Sequence, residues 1–238
     1  YFAPMPHDPA KFDGESRRAY NVGPDALLVN FKAVEFRFVP DGGGVRVFAE
    51  PDFPSLEVAS RLKTVKEPCG NWRRGLKYAI DENGLIATAE FTGTYPESCG
   101  EKSWSLSVYS PDHYAEALFR WLWSEAGGKL LGKVRSGAAP ANAKPFLRFE
   151  SEPLAQLVRD INKFSNNVMA RQVFLSLSAE KAGVPGKAQA SAKIVREWMA
   201  AKGIAAPELV LENGSGLSRA ERISAANLAA VLRTAWAG

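Results

Sequence analysis

The pattern of apolar residues changes near Ser110, and this change limits the folds that the chain can adopt. Before it, apolar and polar residues alternate in short runs such as Val34 to Phe38 and Trp104 to Val108, which is typical of half-buried strands. Beyond it, apolar residues recur at the spacing of amphipathic helices, beginning with Tyr114 and Leu118. The sequence therefore predicts an α+β protein with a β-rich domain at 1–110 and a helical domain at 111–238. The boundary is expected between residues 105 and 145.

Turn and capping residues predict where individual elements begin and end. Asp41-Gly42-Gly43-Gly44 and Asp81-Glu82-Asn83-Gly84 each predict a hairpin, and Leu27–Phe31 is expected to run as strand into the first of them. Ser and Asn favour helix starts, and Gly favours helix ends. Helices are predicted from Ser110 to Gly127, from Leu154 to about Phe164, just after Asn167, from Ala188 to Lys202 and after Ser224, with short strands at Lys129–Arg135 and Leu209–Leu211.

Composition excludes several classes of function. The net charge is only +4 and no run of Lys and Arg occurs, which argues against a nucleic-acid partner. No apolar stretch approaches the ~20 residues of a membrane-spanning helix, so no transmembrane segment is expected. With two histidines and two cysteines, the chain cannot assemble a zinc site of ordinary ligand count, and we expect neither metal nor cofactor. The chain begins without Met and stops inside a helical pattern, as an internal piece of a longer protein would.

The two cysteines, Cys69 and Cys99, both fall in the strand-rich region near turn residues. Such a pair suits a disulfide formed in an oxidising compartment. Two free buried thiols are the alternative that the sequence leaves open.

Ser165-Asn166-Asn167 stands where one predicted helix ends and the next begins. Ser and Asn are favoured helix N-caps, so the motif needs no function to explain it. The functional interpretation is the Ser-x-Asn element of serine acyl-transferases that also use Ser-x-x-Lys and Lys-Thr-Gly. In that chemistry a hydroxyl relays a proton, and a carboxamide binds a peptide through both its N–H and its C=O.

A glycine-rich turn, Asn213-Gly214-Ser215-Gly216, follows a predicted strand directly and leads into Leu217-Ser218-Arg219. Alone it is an ordinary strand-to-helix connection. It is not a phosphate loop, because it lacks the lysine and the glycine spacing of one. It is not a nucleophile elbow either, because position 212 is Glu rather than Gly.

The two motifs together carry a family resemblance. Lys163 to Ala170, followed about fifty residues later by Asn213 to Arg219, resembles the class C low-molecular-mass penicillin-binding proteins, the D-alanyl-D-alanine carboxypeptidases/endopeptidases. Tyr20 to Phe31 and the Cys69 and Cys99 region resemble this family's inserted domain. The resemblance implies a β-rich inserted domain followed by the helical part of a β-lactamase/transpeptidase-like penicillin-binding domain.

The resemblance also implies a periplasmic serine hydrolase that forms an acyl-enzyme with peptidoglycan peptides and is acylated by β-lactams. Ser165 would relay the proton and Asn167 would bind the substrate amide. Asn213, Gly214, Ser215 and Gly216 would shape the edge of the substrate cleft. Asn213 stands where the family often has Asp, which removes a charge from that position.

The nucleophile of such an enzyme is not identified in the sequence. Ser60-Arg61-Leu62-Lys63 and Ser178-Ala179-Glu180-Lys181 match Ser-x-x-Lys, but both stand in the wrong order relative to the other motifs. His113 has no identifiable partner for a Ser-His-Asp arrangement. We therefore expect the 238 residues to be inactive alone. A peptidoglycan-binding or scaffold module, and an interaction domain with fortuitous motifs, are the two alternatives.

Overall fold

The computed structural model describes residues 1–5, 7–140 and 142–237. Contacts divide the chain into two compact units. The sheet unit comprises Arg17–Val22 and Leu27–Pro145, and the helical unit comprises Tyr1–Ser16, Gly23–Ala26 and Phe146–Gly238. The first segment of the chain thus packs with the last, which the sequence did not suggest. The division into domains at 1–110 and 111–238 stays a prediction.

A six-stranded sheet forms the body of the sheet unit. Its strands are β1 (Ala33–Asp41), β2 (Gly44–Glu50), β3 (Leu56–Val65), β4 (Leu76–Asn83), β5 (Ile86–Pro96) and β6 (Lys102–Ser107). The spatial order is β4-β5-β3-β2-β1-β6. Strands β3 and β5 run parallel, and the other neighbouring pairs are antiparallel.

Both predicted hairpins are confirmed, with Asp41 paired to Gly44 and Asn83 paired to Ile86. The alternation read in β1 places Phe36 and Phe38 in the core, where each ring contacts Phe91 of β5 edge-on. Helix α1 (Pro111–Glu125) adds Tyr114 to the same core. Burial of these aromatic side chains stabilises the unit.

The cysteines form a disulfide, Cys69–Cys99, within the sheet unit. It links the segment between β3 and β4 to the short 3-10 helix that follows β5. The chain-entropy model assigns a loop of this length roughly 3–4 kcal/mol of stabilisation. The disulfide expectation is confirmed, and the free-thiol alternative is wrong.

Two predicted strands are not present. Asn30, Phe31 and Lys32 have φ values of 46°, 51° and 50° and form a 3-10 turn, where Asn30 Nδ2 donates to the carbonyl oxygen of Ala33 over 3.0 Å. The run from Lys129 to Arg135 is irregular because side chains of α1 form hydrogen bonds with its backbone groups. Arg120 donates to the carbonyl oxygens at residues 130 and 132, and Glu116 accepts the N–H of residue 134.

The helical unit contains α2 (Leu154–Phe164), α3 (Asn167–Ala182), α4 (Ala188–Ala201) and α5 (Ala225–Ala237), all at their predicted places. The expected strand at Leu209–Leu211 is reduced to one antiparallel bridge between Val210 and Arg222. Met199, Ile204 and Leu209 form a small core there. Across the described residues, no helix is both long and apolar enough to cross a membrane.

Candidate active site

The Ser-Asn-Asn element forms a sharp junction between α2 and α3. Ser165 ends α2 in the left-handed conformation, with φ 52° and ψ 47°. Asn166 is the N-cap of α3, and its Oδ1 accepts the backbone N–H of Met169 over 3.0 Å. The N-cap interpretation of the sequence is therefore correct for Asn166, and it leaves the side chains of Ser165 and Asn167 for other contacts.

The hydroxyl of Ser165 is exposed and makes no hydrogen bond within the described part of the chain. Asn167 is half-buried, and its Nδ2 donates to the carbonyl oxygen of Ser215 over 2.7 Å. A carboxamide offers two N–H donors and one acceptor oxygen. The second N–H and Oδ1 of Asn167 have no partner among the described residues, so one donor and one acceptor are available to a ligand.

The glycine turn is held by the carboxylate of Glu221. One oxygen, Oε1, accepts the backbone N–H groups of Glu212, Asn213 and Gly214 over 2.9, 2.8 and 2.9 Å. Hydrogen bonds to an ionised acceptor are stronger than neutral ones. This single carboxylate therefore satisfies three consecutive donors and fixes the curvature of the turn.

Asn213 and Ser215 form hydrogen bonds with each other inside the turn. Asn213 Oδ1 accepts both the N–H of Ser215 over 2.8 Å and its hydroxyl over 2.5 Å. Ser215 is buried, with 6% of its surface exposed. Asn213 thus acts as a turn-forming residue, and its neutral side chain suffices for that role.

Gly214 is required by its conformation and by its neighbour. Its φ of 68° is unfavourable for other residues, and a Cβ at this position would lie 2.5 Å from Cγ of Phe174 on α3. Gly216 has a φ of 77°, and a Cβ there would lie 4.0 Å from Nδ2 of Asn167. The turn therefore packs directly against α3, beside the Ser-Asn-Asn junction.

Arg171 was not singled out from the sequence. It lies one turn beyond Asn167 on α3 and is half-buried, and its Nη2 donates to the hydroxyl of Ser215 over 3.3 Å. Its position four residues after Asn167 places it on the same helix face, which was the one available signal. Burial lowers the pKa of Arg171, and the nearby carboxylates of Glu221 and Glu212 oppose this effect.

Glu212 lies at the start of the turn. The hydrogen bond from Lys11 lowers the pKa of Glu212, and a hydrogen bond from the hydroxyl of Ser218 acts in the same direction. The Lys11 Nζ to Glu212 Oε1 distance is 2.7 Å. The N-terminal segment thus contributes a charge to the surroundings of the turn.

The rejected candidates all have structural contacts. Ser60 Oγ donates to the carbonyl oxygen of Val45 over 2.6 Å, and Ser178 Oγ is buried and bonded to the backbone of Lys187. His113 Nδ1 contacts both Glu82 Oε1 and Ser110 Oγ. A catalytic histidine of a Ser-His-Asp triad uses its two ring nitrogens for these two partners, so this geometry differs from a triad.

The described residues contain no group of three or more His, Cys, Asp or Glu side chains placed to hold a metal ion.

Comparisons with known proteins give the chain its family. A sequence profile described as the D-Ala-D-Ala carboxypeptidase 3 (S13) family matches residues 3–237. A D-alanyl-D-alanine carboxypeptidase from Actinomadura sp. is 30% identical over 149 residues, which is 61% of this chain and 28% of the relative. D-alanyl-D-alanine carboxypeptidase DacB from Haemophilus influenzae is 26% identical over 128 residues, which is 54% of this chain and 27% of the relative.

The fold matches a solved structure. The crystal structure of penicillin binding protein 4 (dacB) from Haemophilus influenzae superposes with a TM-score of 0.75 at 19% identity, covering 98% of this chain and 51% of that one. A second structure of that protein, complexed with a β-lactam, superposes with a TM-score of 0.67 at 20% identity, covering 88% of this chain and 48% of that one. The chain therefore spans about half the length of these solved structures.

The α+β fold class predicted from the sequence is confirmed by this superposition. The resemblance to low-molecular-mass penicillin-binding proteins is confirmed by the profile and the two curated relatives. Because the profile covers nearly the whole chain, the chain belongs to the D-Ala-D-Ala carboxypeptidase 3 (S13) family.

Proposed function

We propose that this chain supplies the Ser-x-Asn element and the adjoining glycine turn of a periplasmic serine-type D-alanyl-D-alanine carboxypeptidase/endopeptidase. The observation that carries the proposal is the hydrogen bond from Asn167 Nδ2 to the carbonyl oxygen of Ser215. It joins two motifs that stand 48 residues apart in the sequence. Motifs with only capping and turn-forming roles would not need to meet.

The proposed reaction starts with attack by a serine hydroxyl on the carbonyl carbon of the penultimate D-alanine of a stem peptide. The serine comes from a Ser-x-x-Lys element other than the Ser60 and Ser178 matches. The C–N bond breaks, the terminal D-alanine leaves as an amine, and an ester joins the peptide to the enzyme. Water then hydrolyses this ester. A β-lactam would acylate the same serine and mimic the first half of the cycle.

The hydroxyl of Ser165 is assigned to proton transfer, and the carboxamide of Asn167 is assigned to substrate binding. The unpaired hydroxyl of Ser165 would pass a proton to the departing amine. The remaining N–H and C=O of Asn167 would bind the amide that precedes the scissile bond. The turn from Gly214 to Gly216 would form the edge of the cleft, since it packs beside Asn167.

The test is covalent labelling of the protein produced from its complete gene with a fluorescent penicillin. We expect an adduct that survives denaturation. Ser165→Ala should slow acylation by about 100-fold or more, because a positioned proton-transfer group typically contributes that much. Asn167→Ala should slow it by roughly 100-fold through misplaced substrate.

Ser103→Ala and Asn71→Ala are the matched controls, because both side chains are exposed on the sheet unit. Both should label at the wild-type rate. The isolated 238-residue chain should not label. Absence of an adduct in the complete protein would contradict the proposal and favour a non-catalytic peptidoglycan-binding module.

A further inference from the structure

Two side chains of helix α3 contact the glycine turn, and both contact Ser215. Asn167 and Arg171 are four residues apart, so their side chains lie on one face of the helix. Asn167 Nδ2 donates to the carbonyl oxygen of Ser215 over 2.7 Å, and Arg171 Nη2 donates to the hydroxyl of Ser215 over 3.3 Å. The backbone and the side chain of Ser215 are therefore both tied to α3.

The guanidinium of Arg171 is itself anchored. Its Nη1 lies 3.1 Å from Nδ1 of His7, which is the contact that anchors it. Its Nε is buried and has no hydrogen-bond partner in the described ranges. The carboxylates of Glu212 and Glu221, which belong to or hold the turn, attract it electrostatically. A half-buried cation with fixed contacts on both sides restrains Ser215 more firmly than a solvated side chain would.

The orientation of the Asn167 carboxamide depends on where Ser215 stands. Because a carbonyl oxygen can only accept, the carboxamide must turn its NH₂ group toward Ser215, which leaves Oδ1 facing away from that contact. If Ser215 moved, the carboxamide could rotate and exchange its donor and acceptor. The substrate amide would then meet the wrong group.

We propose that Arg171 is a positioning residue that acts through Ser215 to fix the orientation of the Asn167 carboxamide. The inference rests on the function proposed above, because it assigns Asn167 to substrate binding. Arg171 itself need not touch the substrate.

The experiment compares acylation of the complete protein by two β-lactams. Benzylpenicillin carries an acylamino group that Asn167 could bind, whereas aminopenicillanic acid has an amine in its place. Arg171→Gln should lower the acylation rate with benzylpenicillin by roughly 10- to 100-fold, the size expected for a misplaced binding group. The loss with aminopenicillanic acid should be several-fold smaller. Arg171→Lys, which keeps one charged donor, should restore part of the rate.

A double-mutant cycle tests whether Ser215 is the intermediary. Ser215→Ala removes the hydroxyl that Arg171 contacts but keeps the carbonyl oxygen that Asn167 contacts. Because this hydroxyl also bonds to Asn213 and Leu217, Ser215→Ala has a cost of its own. If Arg171 acts through the hydroxyl, the Arg171→Gln/Ser215→Ala variant should be slowed by less than the product of the two single-variant losses. Arg159→Gln is the matched control, because Arg159 is exposed on α2, and it should react at the wild-type rate.

The outcomes separate this inference from the proposed function. An Arg171→Gln variant that reacts at the wild-type rate, or loses the same factor with both β-lactams, would overturn the inference alone. A wild-type protein that never acylates would overturn the proposed function and the inference together. If Arg171→Gln does not fold, Arg171→Lys and Ser215→Ala decide, because each should slow benzylpenicillin more than aminopenicillanic acid.

Discussion

At the scale of single residues, Ser215 forms hydrogen bonds through all of its polar groups. Its N–H and hydroxyl both bond to Asn213 Oδ1, and its carbonyl oxygen accepts from Asn167. The hydroxyl also accepts the N–H of Leu217 over 3.2 Å. Every polar group of this buried serine is satisfied, which a buried polar residue requires.

Gly214→Ala should destabilise the helical unit more than the same substitution does at an ordinary positive-φ glycine. A left-handed alanine costs about 1–2 kcal/mol, and the contact of its Cβ with Phe174 should add about 1–3 kcal/mol of overpacking. Gly203→Ala is the matched control, since its φ of 73° is similar and nothing lies within 4 Å of the added Cβ. Chemical denaturation of both variants measures the difference. Equal losses in the two variants would show that the turn moves away from α3 without cost.

The candidate site was predictable only as far as its motifs. Ser165, Asn167 and the turn from Asn213 to Gly216 stand in short recognisable runs. Arg171 and Glu221 do not, because their importance comes from groups brought to them by folding. Glu221 matters because three backbone N–H groups donate to its carboxylate, and no local sequence pattern predicts these hydrogen bonds.

At the scale of elements, side-chain hydrogen bonds hold the N-terminal end of helix α5, while Ala230 and Val231 in its middle pack against the small core. Glu208 Oε1 accepts the N–H of Ser224 over 3.0 Å and Nδ2 of Asn227 over 2.8 Å. Ser224 Oγ in turn accepts the N–H of Asn227, as the predicted N-cap should. Because these donors favour the ionised carboxylate, the pKa of Glu208 falls from 4.5 to about 2, the Ser224 contact being the largest cause.

This pKa predicts acid sensitivity at α5. The folded chain holds the Glu208 proton less tightly than the unfolded chain, so the contribution to stability is present above pH 4.5 and is lost as the pH falls toward about 2. Urea denaturation at about pH 5 and about pH 3 should show a smaller pH-dependent loss for Glu208→Gln than for the wild type. Glu150→Gln, at an exposed position, should behave as the wild type. Parallel losses in Glu208→Gln and the wild type would contradict the prediction.

Elements with their own turn signals, capping signals or regular alternation were predictable, and elements without such signals were not. The hairpins and the helices α1 to α5 carry their own turn and capping signals. Strand β3 was missed. It pairs along its whole length in parallel with β5, and its pairing with the preceding strand β2 is Gly44 with Lys63. The run from Lys129 to Arg135 was misread as a strand because the side chains that hold it belong to α1.

At the scale of the whole molecule, the described residues between 137 and 152 form neither helix nor strand and are exposed. Phe146, Leu147 and Phe149 are 102%, 80% and 92% exposed. Exposed irregular backbone is where proteases cut folded proteins first. Limited digestion with chymotrypsin should therefore cleave first at these three residues. Mass spectrometry of the fragments identifies the sites, and initial cleavage within β1 to β6 would contradict the prediction.

The helical unit is assembled from both ends of the chain, with the sheet unit inserted between them. When the chain reaches its compartment N-terminus first, Tyr1–Ser16 arrives before the sheet unit, and the partners of this segment from residue 146 onward arrive after it. The sheet unit has its own core and its own disulfide, so it can fold while Tyr1–Ser16 is still unpaired. The helical unit, and with it the two motifs of the candidate site, can form only once the residues beyond 146 have followed.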